Sequence, residues 1–167
     1  MKTLYMIGGT MGVGKTTVCQ VLKKELDNAV FLDGDWCWDA DPFCVTEETK
    51  QMVVRNISFL LNSFIHCSAY TNIIFCWVMH QQEILDDLLS RLDLSGCSVK
   101  AFSLVSSPEA LRARLEKDIR SGIRQPDVLD RSLDRLPLYS RLNTHQIDTT
   151  GLTPEETAGR IRAAAEE

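Results

Sequence analysis

A glycine-rich segment near the N-terminus has the residue types and the spacing that bind the phosphates of a nucleotide. Residues 9–16 read Gly-Thr-Met-Gly-Val-Gly-Lys-Thr, which fills the pattern G-x-x-x-x-G-K-[ST]. Glycines allow backbone angles closed to other residues, so main-chain N–H groups can approach an anion without interference from side chains. The lysine adds a charge for the outer phosphates, and the threonine hydroxyl is a ligand for Mg²⁺. The pattern therefore predicts a site for a nucleoside triphosphate with magnesium.

The residues around this motif have the order that such a loop requires. The apolar run Leu4 to Ile7 precedes it and is typical of a buried strand, and apolar residues at positions 18, 21, 22 and 26 follow at helical spacing. A helix that begins near Lys15 directs its free N–H groups and its positive dipole end at a bound phosphate. A glycine-rich turn that only caps a helix is the alternative. The residues that we expect to bind the phosphates are Gly9, Thr10, Met11, Gly12, Val13, Gly14, Lys15, Thr16 and Thr17.

An acidic segment follows the second apolar run of the chain. It holds six carboxylates, and no lysine or arginine, between residues 33 and 48. In a parallel sheet Asp33 and Asp35 lie at the same edge as the phosphate loop. A carboxylate there can accept the proton of an attacking hydroxyl or order magnesium. We expect Asp35 to be the general base. Asp33 would either position Asp35 or, together with Thr16, hold the magnesium ion. The alternative is a solvated acidic loop without a catalytic role.

Aromatic side chains are expected at the same edge of the sheet. Trp36 follows Asp35 directly, and Trp77 ends the third apolar run, with His80 shortly after it. An indole can stack on the ring or sugar face of an acceptor, although aromatic residues near strand ends are as often core. A structural hydrogen bond is the alternative for His80. Asp35, Trp36, Trp77 and His80 are therefore candidate acceptor contacts.

Seven arginines lie between residues 112 and 141 of this otherwise acidic chain. Such residues are commonly paired with carboxylates on a solvated helix face. Arg120 and Arg124 differ because they flank Ser121-Gly122-Ile123, where the helical pattern breaks. An arginine loop over about residues 120–127 suits a lid that closes over ATP, excludes water and stabilises the charge of the transferred phosphoryl group. Arg120 and Arg124 are the candidates for that role.

Apolar, β-rich runs alternate with helical patterns along the whole chain. The five runs are Leu4 to Ile7, Ala29 to Leu32, Ile73 to Val78, Val99 to Val105 and His145 to Ile147. Ser107-Pro108 and Thr153-Pro154 each place a capping hydroxyl before a proline, which predicts helix starts. The alternation predicts an α/β fold with a mostly parallel sheet, covered on both faces, that binds ligands at the carboxyl ends of its strands.

The composition is that of an ordinary globular protein. With 167 residues, of which 44% are hydrophobic and 25% charged, one domain over residues 1–167 is expected. A net charge of −5 and a pI near 5.2 argue against nucleic acid or an anionic membrane as the partner. No apolar stretch approaches the length of a membrane span, and Met1 to Thr3 leads straight into the first strand, so we expect a cytoplasmic protein, monomeric or homodimeric.

With the phosphate loop, the Asp33-Gly34-Asp35 motif and the Arg120 to Arg124 segment in this order, the whole chain resembles the small P-loop kinases. This group includes nucleoside monophosphate, shikimate, gluconate and adenylylsulfate kinases and the chloramphenicol phosphotransferases. The resemblance implies a three-layer P-loop kinase fold with a five-stranded parallel sheet in the order 2-3-1-4-5 and an arginine-rich lid. It also implies that the adenine of ATP lies near a lid-flanking arginine and the turn after the fifth strand. The residues that it assigns there are Arg112, Arg114, Thr150 and Pro154.

The chain departs from this group at two places that bear on the acceptor. Many members carry an acidic or Asp-Gly motif at the end of the third strand, where this chain has Trp77-Val78-Met79-His80. Members with phosphate or carboxylate acceptors use arginines on the second helix, where Arg55 is the only one here. With the acidic loop, this favours an uncharged or cationic hydroxyl compound, such as a nucleoside, a sugar or an antibiotic. A nucleoside monophosphate or shikimate-type kinase with an anionic acceptor is the alternative.

The sequence therefore favours an ATP- and Mg-dependent phosphotransferase that moves the γ-phosphate to a hydroxyl of a small molecule. Its catalytic residues would be Lys15, Asp33, Asp35, Arg120 and Arg124. A nucleotide-binding switch that phosphorylates no acceptor is the alternative of another class. The guanine motif N-K-x-D of GTPases is absent from the sequence, which argues against that alternative. A nucleic-acid end kinase needs a basic track that the pI does not suggest.

Overall fold

The computed structural model describes all 167 residues. Five strands alternate with helices, and each apolar run predicted from the sequence overlaps one of them. The strands are β1 (Lys2–Gly8), β2 (Ala29–Asp33), β3 (Asn72–Trp77), β4 (Cys97–Val105) and β5 (His145–Asp148).

The strands form one parallel sheet in the order β2-β3-β1-β4-β5. The α/β class and the strand order that the resemblance implies are therefore confirmed. Gly8 at the end of β1 is level with Trp77 of β3, and Asp33 at the end of β2 is level with Cys76. Consequently the loop after β1 and the acidic turn after β2 leave the sheet at the same edge, on either side of β3.

Helices cover both faces of the sheet. They are α1 (Lys15–Glu25), α2 (Glu47–His66), α3 (Gln82–Ser90), α4 (Pro108–Arg120), α5 (Val128–Arg135) and α6 (Pro154–Glu166). Two short 3-10 helices, Gly34–Cys37 and Leu136–Arg141, complete the regular structure.

The central strand β1 shows how the three layers form. Because side chains alternate between the faces of a strand, Tyr5 and Ile7 pack in one core cluster with α1 and α6. Leu4 and Met6 pack in the other cluster, with α2 and α3. Each such side chain contributes roughly 1.5–3 kcal/mol by leaving water. This burial fixes the strand register, and with it the edge at which the loops meet.

Side-chain caps fix the starts of three helices. Thr46 accepts from Thr49 N before α2, Ser107 accepts from Ala110 N before α4, and Thr153 accepts from Glu156 N before α6. The helix starts predicted at Ser107-Pro108 and Thr153-Pro154 are confirmed. A hydroxyl cap is worth roughly 1 kcal/mol, because it satisfies an N–H that the helix leaves free.

The helices α4 and α5 pack on each other beside the end of β4. Leu111 and Leu115 of α4 meet Val128 of α5 and Leu136 in a third apolar cluster. This packing holds both ends of the connection between α4 and α5, which makes up most of the segment predicted to be a lid, about residues 120–127; the role of that segment as a lid remains a prediction. No helix in the molecule has both the length and the apolar character required to cross a membrane.

Candidate functional site

The connection between β1 and α1 passes closely under α4. Gly12 and Gly14 have φ angles of 84° and 100°, in the left-handed region that favours glycine. A Cβ on Gly12 would lie 2.5 Å from Leu115 Cδ2, and a Cβ on Gly9 would lie 2.7 Å from Val13 Cγ1. These contacts explain why positions 9 and 12 have no side chain: the chain turns too tightly there to hold one.

The helix that follows this loop offers free donors to an anion. No side chain caps the start of α1. The N–H groups of Gly14, Lys15, Thr16 and Thr17 donate to no acceptor in the protein. With the positive end of the helix dipole, such groups form a ready site for phosphate. The loop therefore fits the triphosphate that its sequence pattern predicts.

Two hydrogen bonds hold the loop in this shape. Lys15 Nζ donates to Thr10 O at 3.1 Å, so the lysine lies across the mouth of the loop. Thr10 Oγ1 donates to Ser132 O at 3.3 Å, which ties the loop to α5. Thr10 is buried, and its bond to α5 replaces the water that its hydroxyl loses on folding.

Asp33 connects the phosphate loop to the acidic turn. Thr16 Oγ1 donates to Asp33 Oδ2 at 2.6 Å, and Asp35 N donates to Asp33 Oδ1 at 2.9 Å. Asp33 is 6% exposed, so these bonds compensate for the loss of water around a buried carboxylate. The structure thus brings together the two residues predicted to hold magnesium.

No group of three or more His, Cys, Asp or Glu side chains could hold a metal ion. Mg²⁺ is commonly bound by one or two protein oxygens, with water and substrate phosphates as its other ligands. The hydroxyl of Thr16 and the carboxylate of Asp33 fit that pattern, since both are hard oxygen donors and lie in direct contact beside the free N–H groups of α1.

Asp35 lies at the start of the 3-10 helix after β2. The residue is open to solvent, which a general base needs in order to meet an acceptor. Partial desolvation nevertheless raises the pKa of Asp35, and the charge of Asp33 adds to this, whereas Lys15, a hydrogen bond from Trp77 and Arg124 oppose it. The charges of the phosphate-loop lysine and of an arginine of the predicted lid therefore both favour the ionised form of this carboxyl group.

The lysine of the loop shares these neighbours. Burial lowers the pKa of Lys15, and the charge of Arg124 lowers it further, while Cys76, Asp35 and Asp33 raise it. The charge of Arg124 therefore acts on the lysine and on the aspartate alike.

The structure distinguishes the two arginines that the sequence analysis proposes for a lid. Arg124 is half-buried, and its Nε donates to Asp118 Oδ2 at 3.0 Å. Asp118 O also accepts from the main-chain N–H groups of Ile123 and Arg124. Arg120 is exposed at the end of α4 and forms no ion pair. Nothing in the sequence singles out Asp118, because it resembles the other carboxylates that alternate with arginines in this segment.

A cavity of about 200 Å³ opens beside the phosphate loop. Its walls include Thr17 of α1, which the sequence pattern assigns to the nucleotide, and Arg114 of α4 and Pro154 of α6, which the resemblance assigns to it. Thr150 does not line this cavity; its hydroxyl accepts from Ser107 N at 2.8 Å and holds the end of β4. Arg112 is exposed to solvent, whereas the preceding residue of the helix, Leu111, is buried.

The predicted acceptor contacts are placed unevenly around the acidic turn. Trp36 is 56% exposed beside Asp35, with its edge on Phe31. Trp77 is half-buried against Gly34, so it supports the turn as well as facing Asp35. Arg55 is exposed on α2 and has no ion-pair partner.

His80 lies after β3, and its Nδ1 is buried without a hydrogen-bond partner. Burial lowers the pKa of His80, and the nearby charge of Arg135 lowers it further. Arg135 is half-buried and forms no ion pair. Nothing in the sequence singles out Arg135 among the seven clustered arginines; only the fold brings its charge near His80, which follows β3.

Comparison with known proteins places this geometry in a family. A family model described as an AAA domain matches residues 6–131. No curated protein matches the sequence.

Several solved structures share the fold over almost the whole chain. A tunicamycin resistance protein from Deinococcus radiodurans has a TM-score of 0.71 at 21% identity, over 99% of this chain and 96% of its own. A gluconokinase from Sinorhizobium meliloti 1021 has a TM-score of 0.70 at 17% identity, over 98% of this chain and 94% of its own. A shikimate kinase from Acinetobacter baumannii in complex with shikimate has a TM-score of 0.65 at 19% identity, over 99% of this chain and 93% of its own. The fold implied by the resemblance to small P-loop kinases is confirmed.

Proposed function

The chain belongs to the AAA domain family, and from that premise we propose that it is an ATP- and Mg-dependent phosphotransferase that acts on a hydroxyl of a small molecule. The observation that carries this proposal is the hydrogen bond of 2.6 Å between Thr16 Oγ1 and Asp33 Oδ2. It joins the phosphate loop to an acidic turn whose next carboxylate, Asp35, is open to solvent. A nucleotide switch has no need of a carboxylate placed to meet an acceptor.

The proposed reaction uses each of these groups once. Asp35 accepts the proton of the acceptor hydroxyl, whose oxygen forms a bond to the γ-phosphorus while the bond from that phosphorus to the β–γ bridging oxygen breaks. ADP leaves, and Asp35 returns the proton to water. Lys15 and Arg124 stabilise the negative charge of the phosphoryl group during transfer. Thr16 and Asp33 would hold Mg²⁺, which supplies charge neutralisation on the phosphate oxygens.

We propose an uncharged or cationic acceptor as the leading class. The carboxylates of the segment from residue 33 to residue 48 have no basic residue among them, and an anion would have to approach against their field. Trp36 offers an exposed aromatic face beside the general base, which suits a planar or sugar ring.

An anionic acceptor is the second candidate, and one observation favours it. Arg135 is half-buried near His80 and has no carboxylate partner, and a partly desolvated guanidinium without a counter-ion suits an anion. The neighbours of known structure include a shikimate kinase in complex with shikimate and a gluconokinase. Replacing Arg135 with alanine would raise KM for an anionic acceptor and change it little for a neutral one.

A screen for ADP release tests the proposal. ATP and Mg²⁺ would be offered with nucleosides, sugars, small hydroxy acids and aminoglycoside or amphenicol antibiotics, and the products checked by mass spectrometry for the added phosphate. We expect one class to raise ADP release well above background, and Lys15→Ala to abolish it. ATP binding without phosphorylation of any class would contradict the proposal and favour a switch.

A further inference from the structure

Arg114 joins two walls of the nucleotide cavity through its guanidinium group. Nη1 donates to Val13 O at 3.1 Å and to Thr149 Oγ1 at 3.3 Å, and Nη2 donates to Thr149 O at 3.2 Å. Val13 belongs to the phosphate loop, and Thr149 follows β5. One side chain from α4 therefore connects the loop to the turn that closes the other side of the cavity.

The bond to Val13 O has a consequence for the neighbouring peptide group. The peptide bond between Val13 and Gly14 is trans, so its N–H points away from its C=O. When Arg114 holds the Val13 carbonyl on the α4 side, the Gly14 N–H is directed to the opposite side, into the loop. That N–H has no acceptor in the protein, and it is one of the donors offered to a phosphate.

Thr149 gives the Arg114 side chain a rigid attachment point for this role. It is 2% exposed, and its N–H and hydroxyl both donate to Val105 O, at 2.8 and 3.1 Å. The guanidinium thus spans from a fixed point at the end of the sheet to a glycine-rich loop. Since charge-assisted hydrogen bonds are stronger than neutral ones, the bridge ties the loop firmly to this point.

We propose that Arg114 is a positioning residue of the phosphate cradle: by holding the Val13 carbonyl against Thr149, it orients the Gly14 N–H toward the phosphates. This inference rests on the proposed function, because it assumes that the loop binds a triphosphate. It differs from the role that the resemblance implies for Arg114, which is contact with the adenine. A contact with the base acts only on ligands that carry a base, whereas a cradle acts on the phosphate chain itself.

Calorimetric titration with ATP and with inorganic tripolyphosphate, each with Mg²⁺, separates these roles. We expect Arg114→Ala to weaken both ligands by the same factor, about tenfold, which corresponds to one lost charge-assisted bond. Arg114→Lys keeps the charge but cannot span from Val13 O to Thr149 O with one ammonium group, so it should also weaken both. Lys117→Ala removes an exposed charge from the same helix and should leave both affinities unchanged.

A second measurement reports on the loop without any ligand. The amide resonance of Gly14 in the protein alone should shift in Arg114→Ala and Arg114→Lys and remain in place in Lys117→Ala, with unfolding curves showing that all variants fold. Loss of ATP affinity with normal tripolyphosphate affinity, or an unchanged Gly14 amide, would overturn the inference. If the wild-type protein binds neither ligand, the proposed function fails, while the Gly14 resonance still decides whether Arg114 orients the loop.

Discussion

Thr16 and Asp33 are joined by a hydrogen bond of 2.6 Å although they belong to different elements, the first turn of α1 and the last residue of β2. The second oxygen of the same carboxylate accepts from the main chain of Asp35. Asp33 therefore fixes the position of the phosphate loop and of the proposed general base at once, and it does so from a buried position.

Replacing Asp33 with alanine should separate these two elements. We expect the variant to require a higher Mg²⁺ concentration for half-maximal activity, because Thr16 loses its partner and the metal loses a ligand. The free energy of unfolding should fall by about 1–3 kcal/mol, the cost of leaving buried polar groups unpaired. Magnesium titration of ADP release and urea unfolding measure the two effects. Asp39→Ala, which removes an exposed carboxylate from the same segment, should change neither.

Asp35→Asn should remove the proposed general base while preserving the shape of the turn. A positioned base typically contributes about 10²–10⁴-fold, so kcat with the true acceptor should fall within that range, whereas the affinity for ATP should change little. Steady-state kinetics and calorimetry check the two expectations. Full activity in this variant, with normal ATP binding, would assign the base elsewhere.

The pH dependence of the wild-type enzyme follows from the raised pKa of Asp35. The base must be ionised to work, so activity should fall as pH decreases through a value above the ordinary aspartate pKa of 3.8. The contribution of this carboxyl group to folding stability depends on pH in the opposite direction. A raised pKa means that the folded state binds the proton more tightly, so this carboxyl group favours folding below its ordinary pKa and loses that contribution as pH rises through the raised value. In Asp35→Asn the acid limb of kcat/KM should disappear from the residual rate.

Much of the fold could be predicted from the sequence because it depends on local patterns. The alternating apolar residues of β1, the prolines at positions 108 and 154 and the glycines of the loop each specify their own conformation. The sequence also predicts that Asp33 and the phosphate loop meet at one edge, since parallel strands bring their carboxyl ends together, but it does not predict the direct hydrogen bond between Thr16 and Asp33.

The contacts made by long side chains could not be predicted in this way. Nothing in the sequence distinguishes Arg124, which Asp118 holds near the phosphate loop, from Arg120, which points into solvent. Likewise, the bridge from Arg114 to Val13 spans about 100 residues of chain, and only the packing of α4 over the loop creates it.

Gly34→Ala should disturb the acidic turn through a single contact. A Cβ at this position would lie 2.6 Å from Cδ1 and Cγ of Trp77, so the indole would have to move away from the turn that carries Asp35. We expect kcat to fall and the fluorescence of Trp77 to shift, and overpacking should cost about 1–3 kcal/mol of stability. Gly159→Ala, where a Cβ meets nothing within 4 Å on α6, is the matched control and should be neutral or stabilising.

The ion pair of Arg124 with Asp118 provides a test of the lid. Asp118 accepts a hydrogen bond from Nε of the Arg124 guanidinium. Both terminal NH₂ groups of Arg124 therefore remain free to bind a phosphoryl group. We expect Arg124→Ala to lower kcat on the order of 10²-fold, as for the loss of one preorganised donor, and Asp118→Ala to lower it by a smaller factor. Stability should change by about 0–1 kcal/mol, since the pair is partly exposed.

In the double variant the two losses should not add, because Asp118 acts through Arg124. Asp127→Ala, which removes the looser partner of Arg131 at 3.6 Å, should leave kcat unchanged. Additive losses in the double variant would show that Asp118 does not work by orienting Arg124.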